Sequence, residues 1–260
     1  MGKRPKRKIV LFLVEGKSDR EALQLAISEL YDQIDESIEV FFPTMVEGED
    51  EKGGDITSKF KVFPNNIEDK IYEFFLKDFF DKQKIMPKDV SEIIQIVDMD
   101  GAYISDDMIQ MEENPIGENR PYYNLDTILT PNVEGIIKRN DQKRKNIDYL
   151  SSLRMIKVKQ KTVKYSVYYF SSNLDHFLHH DANLDYREKR SKADAFARQY
   201  IGNAKGFIER ILEDSGASKN MSYDQSWDFI KTVGVNSLQR HTNLDVLLKE
   251  LWCLENSKKE

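Results

Sequence analysis

Two short apolar runs that each end in acid constrain this chain more than any other feature. Lys8-Ile-Val-Leu-Phe-Leu-Val14 leads into Glu15-Gly16-Lys17-Ser18-Asp19, and Ile93-Ile-Gln-Ile-Val97 leads into Asp98-Met99-Asp100-Gly101. A short continuous apolar run reads as a strand buried on both faces, the pattern of a parallel sheet under helices. In open α/β sheets the ligand crevice lies outside the carboxyl ends of the strands. Glu15, Asp19, Asp98 and Asp100 are therefore expected on one rim. Carboxylates gathered there repel one another unless a cation sits among them, and oxygen donors suit Mg2+ or Mn2+.

The spacing of the remaining segments predicts an α/β chain. Ser18-Asp19-Arg20-Glu21 reads as a capping box opening an amphipathic helix over 18–31, with Asp19 in a first turn that favours an acid. A second strand is expected over 38–43. The polar stretch 44–63 reads as a loop, with Gly53-Gly54-Asp55 either a plain flexible turn or a border of the cleft. A helix over 67–83 carries a stripe of Phe74, Phe75, Phe79 and Phe80, read as core. Strand, helix, strand, helix, strand is the α/β signature. Residues 103–131 read as a long loop or small insertion and 133–155 as a helix with a charged middle. Residues 162–170 alternate Val163, Tyr165, Val167 and Tyr169, a fourth strand. Helical patterns follow over 174–180, 193–212, 222–232 and 243–254. The expected division is a core over 1–172, with an insertion near 102–150, and a helical extension over 173–260. That extension either completes the core or mediates partner contact.

Composition narrows the classes. Of 260 residues 40% are hydrophobic, including 14 Phe and 12 Tyr, enough for a substantial core. No long uncharged apolar stretch is present, so neither a transmembrane helix nor a membrane partner is expected. The basic N-terminus is followed by only a short apolar run, Ile9 to Val14, which is not the pattern of a signal peptide. Cys253 stands alone, which excludes an intramolecular disulfide and a thiolate metal cluster and fits a reducing cytoplasm. The formal net charge of −6 argues against nucleic-acid binding by overall charge, yet basic residues cluster at 3–8, 138–145, 157–164 and 187–192. Such runs track phosphates if they share a face, and are otherwise solvated surface. His176 and His180 stand four apart, as a zinc pair would, but no Glu-bearing zincin motif surrounds them. They read as polar helix-surface histidines.

Val14-Glu-Gly-Lys-Ser-Asp-Arg-Glu-Ala-Leu23 after one hydrophobic strand, with Asp98-x-Asp100 after another, resembles the Toprim domain over roughly residues 8–101. The second acid, four residues after the glutamate, is similar to the OLD-type nuclease branch, and the combination also resembles RloB-like Toprim effectors of bacterial anti-phage defence. The resemblance implies a Toprim (Rossmann-like), mostly parallel sheet flanked by helices, with a mainly helical C-terminal extension. It implies a nuclease dependent on Mg2+ or Mn2+ that hydrolyses phosphodiester bonds in DNA or RNA. Glu15, Asp98 and Asp100 would be catalytic, and Glu15, Asp19, Asp98 and Asp100 would hold metal. In an OLD-like site two ions about 3.5–4 Å apart clamp the attacking and leaving oxygens. Such enzymes add a lysine from a later segment; Lys189 and Lys192 match by position, and Lys17 lies nearer in sequence. Asn173 and His176, after the fourth strand, are further candidates for phosphate contact.

No Gly-rich phosphate loop occurs, so an ATPase, if one takes part, comes from a partner; a homo-oligomer is the other assembly expected. Two alternatives stand beside the nuclease. One is a catalytically silent Toprim-fold protein that binds nucleic acid or a partner; the other is a small RNA-processing Toprim maturase.

Overall fold

The structure is a computed structural model that describes residues 8–45, 54–59, 61–113 and 120–257. Its centre is a five-stranded sheet in the order β2-β1-β3-β8-β7. The strands are β1 (Lys8–Leu13), β2 (Ile38–Phe41), β3 (Val90–Asp98), β8 (Lys161–Phe170) and β7 (Met155–Val158). The first four run parallel and β7 alone is antiparallel. The apolar runs at 9–14 and 93–97 are buried throughout, as strands covered on both faces must be.

Crossover handedness decides which helices cover which face. From β1 the chain crosses to β2 through α1 (Lys17–Ile34), and from β2 it returns past β1 to β3. Right-handed crossovers in opposite directions place their helices on opposite faces. Val10, Phe12, Ile94, Ile96, Tyr168 and Phe170 accordingly pack under α1 and helices from the C-terminal region. The latter include α5 (Leu174–His179), α6 (Tyr186–Arg198), α7 (Ala204–Asp214) and α9 (Leu244–Asn256). Ile9, Leu11, Ile93, Val97, Tyr165 and Tyr169 face the other way. They pack against α2 (Ile67–Ile71), a π-helical turn over Tyr72–Leu76, α4 (Val133–Ser152) and α8 (Tyr223–Lys231). Phe75 and Phe80 of the aromatic stripe are core, and Phe74 and Phe79 pack against it from the partly buried side. After the π turn the helix continues as α3 (Lys77–Gln83).

Several expectations need correction. The cap of α1 is Gly16, not Ser18: its backbone N–H donates to Asp19 Oδ2 at 2.7 Å, so the acid closes the turn one box earlier. The segment 193–212 is two helices, because Gly202 adopts φ +68° and Asn203 caps α7 by accepting from the Gly206 N–H. The helix over 133–155 ends at Ser152, and β7 pairs back on β8 as a hairpin. The insertion carries a second sheet, ordered β4-β6-β5, of β4 (Ile109–Met111), β5 (Tyr122–Tyr123) and β6 (Ile128–Thr130). Ile104, Ile109, Ile128, Ile136 and Leu238 form its own small core.

Candidate metal centre

Strand order locates the crevice. From β1 the strands are added outward to β2 and then back past β1 to β3, which makes the β1/β3 gap the topological switch point where open α/β sheets bind ligands. Glu15 follows β1, and Asp98 closes β3 with Asp100 two residues on, so the sequence-predicted acids flank that point.

Each acid is held by local backbone. Glu15 Oε1 accepts the Asp98 N–H at 3.0 Å, tying the first motif to the second. Asp98 Oδ1 accepts the N–H of Leu174 at 3.1 Å, at the start of α5. The Asp98-Met99-Asp100 turn is stitched to the segment beyond β8. Met99 N–H donates to Phe170 O at 3.0 Å and Asp100 N–H to Ser172 O at 2.7 Å. Asp100 and Gly101 both take positive φ, +49° and +69°. A Cβ on Gly101 would stand 2.6 Å from Leu238 Cδ2, so close packing as well as backbone freedom requires glycine there.

Lys143, which sequence reasoning missed, and Asp55, which it raised as a possible border of the cleft, join this rim. Lys143 of α4 is fully buried, 0% exposed, and its Nζ lies 2.6 Å from Asp100 Oδ2 and 2.8 Å from Asp55 Oδ2. Asp55 Oδ1 accepts the Thr57 N–H at 2.7 Å, and the Gly54 N–H donates to Glu15 O at 2.9 Å. Gly54 and Asp55 therefore border the cleft; Gly53 lies outside the described residues. Arg139, one turn before Lys143, donates to the Asp100 carbonyl at 2.8 Å. A legible signal existed: the stripe Ile136, Asn140, Lys143, Asn146/Ile147, Leu150 keeps helical spacing straight through its polar members, and all are buried. Asn140 donates to Gly101 O and Asn146 to the carbonyls of Thr57 and Val62, so α4 clamps both the Asp-x-Asp turn and the 54–62 loop.

Of the other candidates, Lys189 reaches the cluster. Its Nζ lies 2.5 Å from Asp175 Oδ2, and Asp175, with Asp98 and Asp19 adding to it, holds the ammonium on against burial. Lys192 pairs with Glu188 and lines a surface hollow with His179, His180 and Arg210. Lys17 is exposed in the first turn of α1. Asn173 spends its Oδ1 on the His176 N–H as the cap of α5 and its Nδ2 on Ala182 O in the loop beyond, so both ends of the amide serve structure. His176 is buried, which pushes its imidazole below the ordinary histidine value, with Arg240 acting in the same direction. The basic runs separate too. Those on α4 and α6 supply Lys143, Arg139 and Lys189, whereas Lys164 pairs with Glu92 at the opposite end of β3.

Electrostatics tests the fit to a cation. Burial raises the Glu15 carboxyl well above the ordinary carboxylate range, Asp55 adds to this, and Lys143 acts against it. Burial, then Asp19 and Asp100, do the same to Asp98. Asp19 is raised by burial in spite of its Gly16 hydrogen bond. Asp55 is lowered, because the Lys143 ammonium overcomes its burial. Six carboxylates (Glu15, Asp19, Asp55, Asp98, Asp100, Asp175) thus stand with three cations, Lys143, Lys189 and Arg139, leaving an excess of negative charge in an oxygen-only donor set. This fits a hard divalent ion. Among the described residues, no three His, Cys, Asp or Glu donors are already drawn together as a bound ion would draw them. No helix among them is long and apolar enough to cross a membrane. No family model, curated protein or solved structure significantly matches the chain.

Proposed function

We propose that this chain is a Toprim-type nuclease that hydrolyses phosphodiester bonds of DNA or RNA with Mg2+ or Mn2+. The observation that carries the reading is the meeting of Glu15 and Asp98 at the β1/β3 switch point, linked directly by the bond from the Asp98 N–H to the Glu15 carboxylate. The ion would be held by Glu15, Asp98 and Asp100, with Asp19 beside them. When bound, it would polarise a phosphoryl oxygen and lower the pKa of a coordinated water.

The chain's own groups then have distinct tasks. Glu15, whose carboxyl is raised above the ordinary carboxylate range first by burial and then by Asp55, stands where it could take up a proton from an attacking water. Lys189, held charged beside Asp175, can neutralise a phosphate oxygen whose charge grows in the transition state. Arg139, Lys143 and Lys189 bring three cations to a rim whose carboxylates outnumber them, so a bound dication would complete the charge balance that a phosphate needs there. A role as an anti-phage effector working with an ATPase partner rests on the sequence resemblance alone.

The test is cleavage of a panel of plasmid, single-stranded DNA, tRNA and ribosomal RNA by wild type and Glu15→Ala, with Mg2+, Mn2+ or chelator. Metal-dependent cutting that disappears in the variant is expected, and the panel identifies the substrate. Absence of both cutting and metal binding would refute the reading.

A further inference from the structure

We infer that Lys143 is a built-in second cation of this centre, so that the cleft takes one divalent ion per chain rather than a pair. The inference rests on the metal-centre reading above and deepens it. The Lys143 ammonium bridges two carboxylates from separate segments, Asp55 from the loop after β2 and Asp100 from the second motif. Bridging two acidic ligands is the structural task of a metal ion in a paired site.

Three features fix the ammonium in place. The Lys143 side chain is wholly buried. Its helix is held at the turns on either side, by Asn140 on the Gly101 carbonyl and by Asn146 on the carbonyls of Thr57 and Val62. Asp55 faces the ammonium from a fixed position: the Thr57 N–H and hydroxyl hold Oδ1, and Lys143 sits at Oδ2. A dication approaching Asp55 Oδ2 would therefore meet the Lys143 ammonium, 2.8 Å from that oxygen, while Lys143 stays.

With Asp19 accepting from the Gly16 N–H and the Ser18 hydroxyl, the donors left to Glu15, Asp98 and Asp100 match a single ion. Glu15 spends one oxygen on the Asp98 N–H, Asp98 one on the Leu174 N–H, and Asp100 one on Lys143. Among the described residues no hydrogen bond reaches the second oxygen of any of the three. That leaves one oxygen from each of three carboxylates, and Mg2+ in phosphate-handling sites is bound by one or two carboxylates with waters and substrate oxygens completing its shell. A second dication beside Asp100 would meet the fixed ammonium at short range, a like-charge contact without an intervening ligand.

The experiment counts Mn2+ bound at equilibrium by the full chain, from the electron paramagnetic resonance signal of the free ion. Wild type is expected to bind one ion per chain, and Lys143→Arg, which keeps the charge, also one. Lys143→Met frees Asp55 and Asp100 and is expected to bind two. Two ions on wild type would overturn the inference while leaving the metal-centre reading intact, as would one ion on a folded Lys143→Met chain. No ion on wild type would overturn both. Should Lys143→Met fail to fold, the wild-type and Lys143→Arg counts decide, two ions on either refuting the assignment.

Discussion

Removing the Lys143 ammonium from the metal-free protein should be among the most costly single substitutions outside the apolar core. Lys143→Met keeps the length and the apolar stem but strands Asp55 and Asp100 without their shared cation. Removing one partner from a buried ion pair costs about 3–5 kcal/mol. Two acids lose a partner here, which pushes the figure up. Both retain some access to water, with side chains 12% and 21% exposed, which pulls it down. A loss of about 4 kcal/mol is expected, a large share of the roughly 5–15 kcal/mol that holds a domain folded. At about 2–4 °C per kcal/mol for a chain of this size, Tm should fall by roughly 8–16 °C. Urea unfolding followed by Trp227, buried against Tyr169 and Tyr223, measures it. The triple variant Asp55→Asn/Asp100→Asn/Lys143→Met should recover most of the loss, because a neutral replacement for a buried ion network is often nearly neutral in stability. A loss below about 1 kcal/mol in Lys143→Met, the range of a solvated surface pair, would refute the claim that this ammonium is a structural cation.

Three further outcomes follow from the same geometry. The raised carboxyls of Glu15, Asp98 and Asp19 bind protons more tightly folded than unfolded, so without metal their contribution falls as pH rises above about 4 toward their folded values. Melts in chelator across that range should show this decline and melts in Mn2+ should flatten it; a metal-free Tm contribution that rises with pH, isolated by comparison with Glu15→Gln, would contradict the assignment. Gly101→Ala combines a positive φ with a Cβ 2.6 Å from Leu238 Cδ2, and should cost roughly 2–4 kcal/mol in urea unfolding. Lys189→Met should keep Mn2+ binding but lower single-turnover cleavage by about 10²-fold or more, the scale of losing one transition-state charge contact; unchanged cleavage would remove Lys189 from the chemistry.

The sequence made the sheet and half of the rim readable for one physical reason. A buried parallel strand must be apolar along its whole length, so its boundary with a polar turn is sharp, and Glu15, Asp98 and Asp100 stand at such boundaries. Helix ends around glycine were less visible. Gly202 ends one pattern and Asn203 opens the next, yet the amphipathic period runs across both and suggests one helix. The short strands of the insertion were unreadable, because two- and three-residue strands carry too little alternation to register.

Lys143 was missed because charge was taken as a mark of surface, whereas Asp55 was visible as a possible border of the cleft but reads equally as a plain turn. That assumption holds for Lys145 and Lys138, which pair with Asp141 and Glu134 at exposed positions on the same helix. It fails at Lys143, where helical spacing puts the ammonium on the stripe shared with Ile136 and Leu150. A lysine on the apolar face of a helix cannot stay charged in the interior without acids to meet it. Its position in the period therefore demands a buried carboxylate elsewhere in the chain. The motif turn at Asp100 meets that demand, and the loop after β2 adds Asp55. The polar members of that stripe thus link the motif turn to the 54–62 loop, and the geometry of the rim depends on a helix that the acidic motifs alone would not have implicated.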